Sequence, residues 1–207
     1  MGLDYEFKYY NDEIRFIVGC DEAGRGPLAG PVVAAACILP SNYHNDLIDD
    51  SKKLSDGKRR KLFKEITEVA VAYGVGIVEA QEIDQINIYQ ASKLAMNKAI
   101  ANMQHKYDLV ITDAMPLYGL EAPVEPVIKG DAKALCVAAA SIIAKVTRDD
   151  LMIELDNIYP QYGFKNHKGY GTREHLDAID VYGPIVGIHR FSFDPVLKKD
   201  KKQLTLF

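Results

Sequence analysis

Two adjacent carboxylates set into an otherwise apolar stretch constrain this chain more than any other feature. The run Ile14-Arg15-Phe16-Ile17-Val18-Gly19-Cys20 is mostly apolar and reads as a strand. Asp21-Glu22-Ala23-Gly24-Arg25-Gly26-Pro27 follows it. The next run, Pro31 to Leu39, is nearly all Val, Ala, Ile and Cys and reads as a second buried strand. The heptad is therefore placed at a tight turn between two buried strands. A turn that only connects is satisfied by Asn-Gly or Asp-Gly. Burying the surroundings of two carboxylates is unfavourable unless something cationic is bound there. A dinucleotide-binding loop fails on context. Gly24-x-Gly26-x-x-x-Gly30 is followed by a strand, with Pro27 and Pro31 in the turn, where that fingerprint requires a helix. Two readings stay open at this point: a charged hairpin, or a divalent-metal site joined to an anion-recognition turn. In the second, glycines let backbone N–H groups approach a ligand, and Arg25 offers a planar donor fork suited to phosphate.

Further along, Asp46 to Asp56 is a polar loop, and Ser55 or Asp56 can cap a helix running to about Ala72. Tyr73 to Ala80 reads as a strand and Gln81 to Gln104 as mainly helical. Asp108 to Thr112 is a short buried strand ending at Asp113, and another strand lies around Val124 to Ile128. Ala132 to Val146 is a buried helix with a small-residue face, continuing to about Asn157, with Asp131 at its first turn as a cap. Gly163 to Thr172 is a glycine- and lysine-rich loop, and Arg173 to Tyr182 a short helix. This order indicates an α/β fold, a mixed central β-sheet flanked by helices, with a small C-terminal helical region.

Asp21, Glu22, Asp113 and Asp131 are the carboxylates that can converge. Strand ends and helix N-termini commonly carry sites in such folds. Successive side chains of a regular strand point to opposite faces. Asp21 and Glu22 can therefore share a ligand only if the strand twists or ends between them. A set of carboxylates without a histidine ligand favours Mg²⁺ or Mn²⁺ over zinc. Asp149, Asp150 and Glu154 read as helix-surface residues, and His175 and His189 as packed or solvated side chains.

Several motifs occur in an order that resembles bacterial ribonuclease HII. They are the heptad, Asp50-Ser51-Lys52-Lys53-Leu54-Ser55, the stretch from Lys129-Gly130-Asp131 through Ser141 and Lys145 to Arg148-Asp149, and Lys168-Gly169-Tyr170-Gly171-Thr172. The resemblance covers about residues 14 to 196. It implies the ribonuclease H-like fold and hydrolysis of the RNA strand of RNA–DNA hybrids, including incision on the 5′ side of a lone ribonucleotide in duplex DNA. It further implies that Asp21, Glu22, Asp113 and Asp131 are metal-binding and catalytic. Two cations held ~3.5–4 Å apart would activate water and stabilise the leaving oxyanion, leaving a 3′-hydroxyl and a 5′-phosphate. Gly24, Arg25 and Gly26 resemble the family's turn that tests the 2′-hydroxyl, the group distinguishing RNA from DNA. Tyr170 resembles the tyrosine that packs on the following sugar. Lys52, Lys53, Ser141 and Lys145 are candidate phosphate contacts.

The last residues, Gln203-Leu204-Thr205-Leu206-Phe207, resemble the bacterial sliding-clamp-binding pentapeptide, with Gln203, Leu204, Leu206 and Phe207 as contacts on a lysine-rich tether. The expected organisation is an N-terminal extension (1–13), a catalytic domain (14–197) and a flexible tail (198–207). The net charge of −4 over 207 residues means that any nucleic-acid binding relies on local basic patches. No apolar run approaches a membrane span, and no signal-peptide core is present. The three cysteines, Cys20, Cys37 and Cys136, lack metal or redox spacing and read as buried thiols of a cytoplasmic protein. A monomer is expected, because no long exposed apolar stripe is evident. The alternative to an endonuclease is a non-catalytic, clamp-associated hybrid-binding protein. Clustered acids argue against it, because a pure binder gains nothing by facing phosphates with negative charge.

Overall fold

The computed structural model of the chain describes residues 3–48 and 54–198. Lys52, Lys53 and the tail residues Gln203, Leu204, Leu206 and Phe207 lie outside them. Among the described residues five strands form one mixed sheet: β1 (Ile17–Ala23), β2 (Val32–Ile38), β3 (Ala72–Val78), β4 (Leu109–Asp113) and β5 (Val124–Val127), in the order β3-β2-β1-β4-β5. β1 runs antiparallel to β2 and parallel to β4, and β4 is parallel to β5. The helices are α1 (Asp56–Val69), α2 (Ala80–Met103), α3 (Leu135–Ile158), α4 (Phe164–His167) and α5 (Arg173–Tyr182). The α/β class and the mixed sheet flanked by helices are as the sequence predicts.

The described residues form two compact units, one from 3–23, 33–48, 54–77 and 93–146, the other from 24–32, 78–92 and 147–198. In the first, the small-residue face of α3 explains the packing. Ala138, Ala139, Ile142 and Ile143 are buried together with Ala35 and Cys37 of β2 and Leu62 and Ile66 of α1. Close approach matters here, since a Cβ on Gly76 of β3 would lie 2.0 Å from the Ala95 carbonyl oxygen of α2. All three cysteines are buried and free, matching their expected thiol state.

Two local expectations change. The β1–β2 connection is an eight-residue loop, Gly24 to Pro31, rather than a tight turn, and it belongs to the second unit. α3 begins at Leu135, and Asp131 lies before it in a 3-10 turn, Gly130–Ala132. Residues 3–13 belong to the first unit. Tyr5 and Tyr9 flank the cluster of Ile17, Ile111 and Val137. Glu6, only 3% exposed, accepts the N–H groups of Leu135 (2.9 Å) and Cys136 (2.8 Å). A helix N-terminus leaves its first N–H groups without intrahelical partners. Here a glutamate distant in sequence supplies the acceptor for two of them.

Candidate active site

Asp21, Asp113 and Asp131 each offer a carboxylate oxygen, and these oxygens lie within 4.8 Å of one another. The sheet produces this directly. Cys20 of β1 pairs with Thr112 of parallel β4, so Asp21 and Asp113 are the next residue on neighbouring strands and share a face. After β4 the chain turns through Ala114, which has a positive φ of 54°, and the Thr112 hydroxyl donates to the Met115 carbonyl at 2.6 Å. Asp131 is brought in by the 3-10 turn, which is tied to Asp113 because the Gly130 N–H donates to Asp113 Oδ1 at 2.8 Å.

Glu22 stands outside this set. The β1–β2 ladder continues through Glu22↔Ala34 to Ala23↔Val33, so the strand does not end between the two acids. The charge of Glu22 nevertheless raises the Asp21 carboxyl, ahead of that of Asp113. The Glu22 N–H does serve the site, donating to Asp21 Oδ1 at 2.7 Å.

Burial, with the charges of Glu22 and Asp113, holds the Asp21 carboxyl well above the usual carboxylate range, while hydrogen bonds from the Glu22 N–H and the Ser141 hydroxyl oppose that rise. Such crowding of like charge favours binding of a cation. An all-oxygen donor set without histidine or cysteine suits Mg²⁺ or Mn²⁺. Ser141 is 5% exposed and directed at Asp21. Its hydroxyl thereby supports the carboxylate cluster. Lys145, one helical turn along α3, is half-buried.

In the second unit, the Gly24–Pro31 loop is built around two buried arginines. Arg148 of α3 donates through Nε to the Pro31 carbonyl (2.9 Å), through Nη2 to Ala29 (3.1 Å) and through Nη1 to Lys168 (3.0 Å). Arg190 donates to the carbonyls of Gly24 (2.6 Å), Arg25 (3.0 Å) and Gly30 (2.8 and 3.0 Å). Their guanidinium groups hold the loop's carbonyls inward, while the Arg25 side chain is exposed. Gly24 has φ +99°, and a Cβ there would sit 2.1 Å from Arg148 Nε, so only glycine fits. Desolvation lowers Arg148 to about 10 and Arg190 to about 9, so both remain charged near neutrality. Tyr170 comes alongside this loop. The residue is 47% exposed, and a Cβ on Gly26 would lie 3.6 Å from Tyr170 Cε1.

Sequence reasoning missed Arg190 altogether and quoted Arg148 only within a motif. A lone arginine inside His189-Arg190-Phe191-Ser192-Phe193 was the available signal. Asp149, expected on the helix surface, is 4% exposed, because this part of α3 is enclosed on that side. His175 and His189 are packed, at 0% and 1% exposure.

The ribonuclease HII family matches this chain over residues 18–196. A ribonuclease HII of Bacillus cytotoxicus is 50% identical over 200 residues, covering 97% of this chain and 76% of that protein. Among solved structures, the ribonuclease H2 of Pyrococcus horikoshii OT3 is similar with a TM-score of 0.77 at 28% identity, covering 90% of this chain and 98% of that one. The structure of a complex of PCNA and ribonuclease HII from Archaeoglobus fulgidus is similar with a TM-score of 0.70 at 28% identity, covering 86% of this chain and 95% of the matched chain.

Proposed function

This chain belongs to the ribonuclease HII family of metal-dependent endoribonucleases, and on that premise we propose that it incises duplex DNA on the 5′ side of a lone ribonucleotide as well as cutting the RNA strand of RNA–DNA hybrids. The observation that carries the reading is the convergence of Asp21, Asp113 and Asp131 from three separated stretches of sequence. Those three, with Glu22 as the fourth carboxylate, would hold two Mg²⁺ or Mn²⁺ ions. When bound, the ions activate water and neutralise charge on the leaving 3′-oxygen. Ser141 orients Asp21, and Glu22 contributes its backbone N–H to the same carboxylate. The products are a 3′-hydroxyl and a 5′-phosphate.

The Gly24-Arg25-Gly26 loop tests the 2′-hydroxyl. Its carbonyls are engaged by Arg190, which favours presentation of N–H donors and the exposed Arg25 to the sugar and phosphate. Gly24 follows Asp21 by three residues, so their backbones are at most about 11 Å apart by chain length alone. Tyr170 packs on the next sugar, with Lys52, Lys53 and Lys145 on the backbone phosphates. The buried free thiols support a cytoplasmic protein. Among the described residues no helix is long and apolar enough to cross a membrane.

The relative from Archaeoglobus fulgidus forms a complex with PCNA. That supports a clamp-binding role for Gln203, Leu204, Leu206 and Phe207, checked by comparing clamp binding of the full monomeric chain with one lacking residues 203–207. The decisive experiment for the activity uses duplex DNA carrying one ribonucleotide, with Mg²⁺, Mn²⁺ or chelator. A metal-dependent nick that Asp131→Asn abolishes is expected. No nick, or an undiminished one in that variant, overturns the reading.

A further inference from the structure

Three buried histidines in the second unit have no part in the reading above. His167, His175 and His189 are 8%, 0% and 1% exposed. Their rings lie close together, with centroids 4.6 Å apart for His167 and His175 and 5.2 Å for His175 and His189. Apolar side chains would fill such a volume at less desolvation cost. The hydrogen bonds show what the imidazoles supply instead.

The backbone sets each tautomer. His189 Nδ1 accepts the Ile185 N–H at 2.9 Å, so its proton is on Nε2. That Nε2 is 3.1 Å from His175 Nε2, which must then be the acceptor. The His175 proton is therefore on Nδ1, which donates to the Tyr170 carbonyl at 2.9 Å. His167 follows the same logic: Nδ1 accepts the Gly169 N–H at 3.2 Å and Nε2 donates to the Tyr162 carbonyl at 2.8 Å. Protonating His189 would set an N–H against the Ile185 N–H, and protonating His175 would set two N–H groups against each other. Desolvation and the neighbouring His175 and His167 lower His189 to about 3, in keeping with a neutral chain.

This chain ends on one residue of functional interest. Besides the His175 bond, the Tyr170 carbonyl accepts the Thr172 N–H at 2.8 Å, and the Tyr170 N–H donates to the His167 carbonyl at 2.9 Å. The preceding Gly169 has φ +83° and accepts the Leu28 N–H at 2.8 Å. The Tyr170 backbone is thus fixed on every side while the residue stays exposed beside Gly26.

We propose that His189 and His175 are positioning residues, a relay of fixed tautomer running from the Ile185 N–H to the Tyr170 carbonyl, which sets the Tyr170 ring against the Gly24–Gly26 loop and thereby the preference for a ribonucleotide followed by DNA. This rests on the assignment of Tyr170 to the sugar following the ribonucleotide.

The test uses the full chain on two substrates, duplex DNA with one ribonucleotide and a uniform RNA–DNA hybrid. Its readout is the ratio of the two kcat/KM values. His175→Leu removes one hydrogen bond from Tyr170 and is expected to lower that ratio by about tenfold. His175→Asn, whose amide nitrogen falls near Nδ1, restores it to within about threefold. Tyr170→Ala lowers the ratio too, and the His175→Leu/Tyr170→Ala pair falls no further, as for residues acting through one another. An unchanged ratio in folded His175→Leu, no rescue by asparagine, or multiplied losses in the pair overturns the relay. If His175→Leu does not fold, nitrogen-15 NMR of the wild-type imidazoles decides. Neutral rings protonated on Nδ1 of His175 and Nε2 of His189 are expected, and the opposite tautomers refute the proposal. Absence of any nicking by the wild-type protein defeats the functional reading instead, which the NMR result distinguishes.

Discussion

Glu6→Ala tests whether a residue far from Asp113 and Asp131 in sequence sustains the carboxylate cluster. In the folded chain the Glu6 carboxylate accepts two N–H groups at the start of α3, at 2.9 and 2.8 Å, and is 3% exposed. Truncation leaves both donors buried without that acceptor, at about 1–3 kcal/mol each. Against this stands the release of a desolvated carboxyl, whose burial already raises its pKa above the ordinary 4.5. Offsetting the two gives a net loss of about 2–4 kcal/mol. Glu6→Gln, which keeps one acceptor, should lose about half as much. The sign of the pH dependence is also set. A carboxyl with a raised folded pKa contributes most below its unfolded value and loses that contribution as pH rises through the folded one. The cost of Glu6→Ala should therefore shrink from pH 4.5 upward. Urea denaturation at several pH values measures the loss, and titration with Mn²⁺ measures the consequence for the site. Because the 3-10 turn holding Asp131 leads directly into α3, Mn²⁺ affinity should fall as well. Stability within about 0.5 kcal/mol of wild type, a surface-like effect, with unchanged Mn²⁺ affinity would refute the capping argument.

Three further outcomes follow from the geometry. Arg190→Met strips the carbonyls of Gly24, Arg25 and Gly30 of their buried donor and should cost about 3–5 kcal/mol, with Arg190→Lys recovering only part; urea denaturation and amide exchange across residues 24–31 check it. Asp113→Asn keeps an acceptor for the Gly130 N–H but removes one of three crowded charges, so without metal it should stabilise by about 1 kcal/mol while losing the Mn²⁺-dependent rise in Tm. His189, lowered from 6.5 to about 3 in the fold, binds a proton more readily when unfolded. Its contribution is present above pH 6.5 and is lost as pH falls toward 3, so the stability gap between wild type and His189→Gln should narrow by a few kcal/mol over that window.

The amino-acid sequence by itself determined the alternation of elements, the buried helix from the 130s onward, and the four acids worth considering. These are legible locally, because burial periodicity and a carboxylate beside apolar strands leave their mark within a few residues. Even the distinction between Asp21 and Glu22 was posed by the pleat, although only the unbroken β1–β2 ladder showed that the strand does not end between them. What the sequence could not show was which distant side chain completes which backbone group. Glu6 reaches Cys136 across 130 residues, and Arg190 reaches Gly24 across 166. Any of many carboxylates or arginines carries the right chemistry for those bonds. The choice is made by the folded chain, which excludes water from the helix N-terminus and from the Gly24–Pro31 carbonyls and leaves one partner within reach. The same holds for the opening heptad. Its charges announced a site, but its division into a carboxylate that meets Asp113 and Asp131 and a loop clasped by two arginines was decided by tertiary packing, where unpaired buried polar groups are too costly to leave.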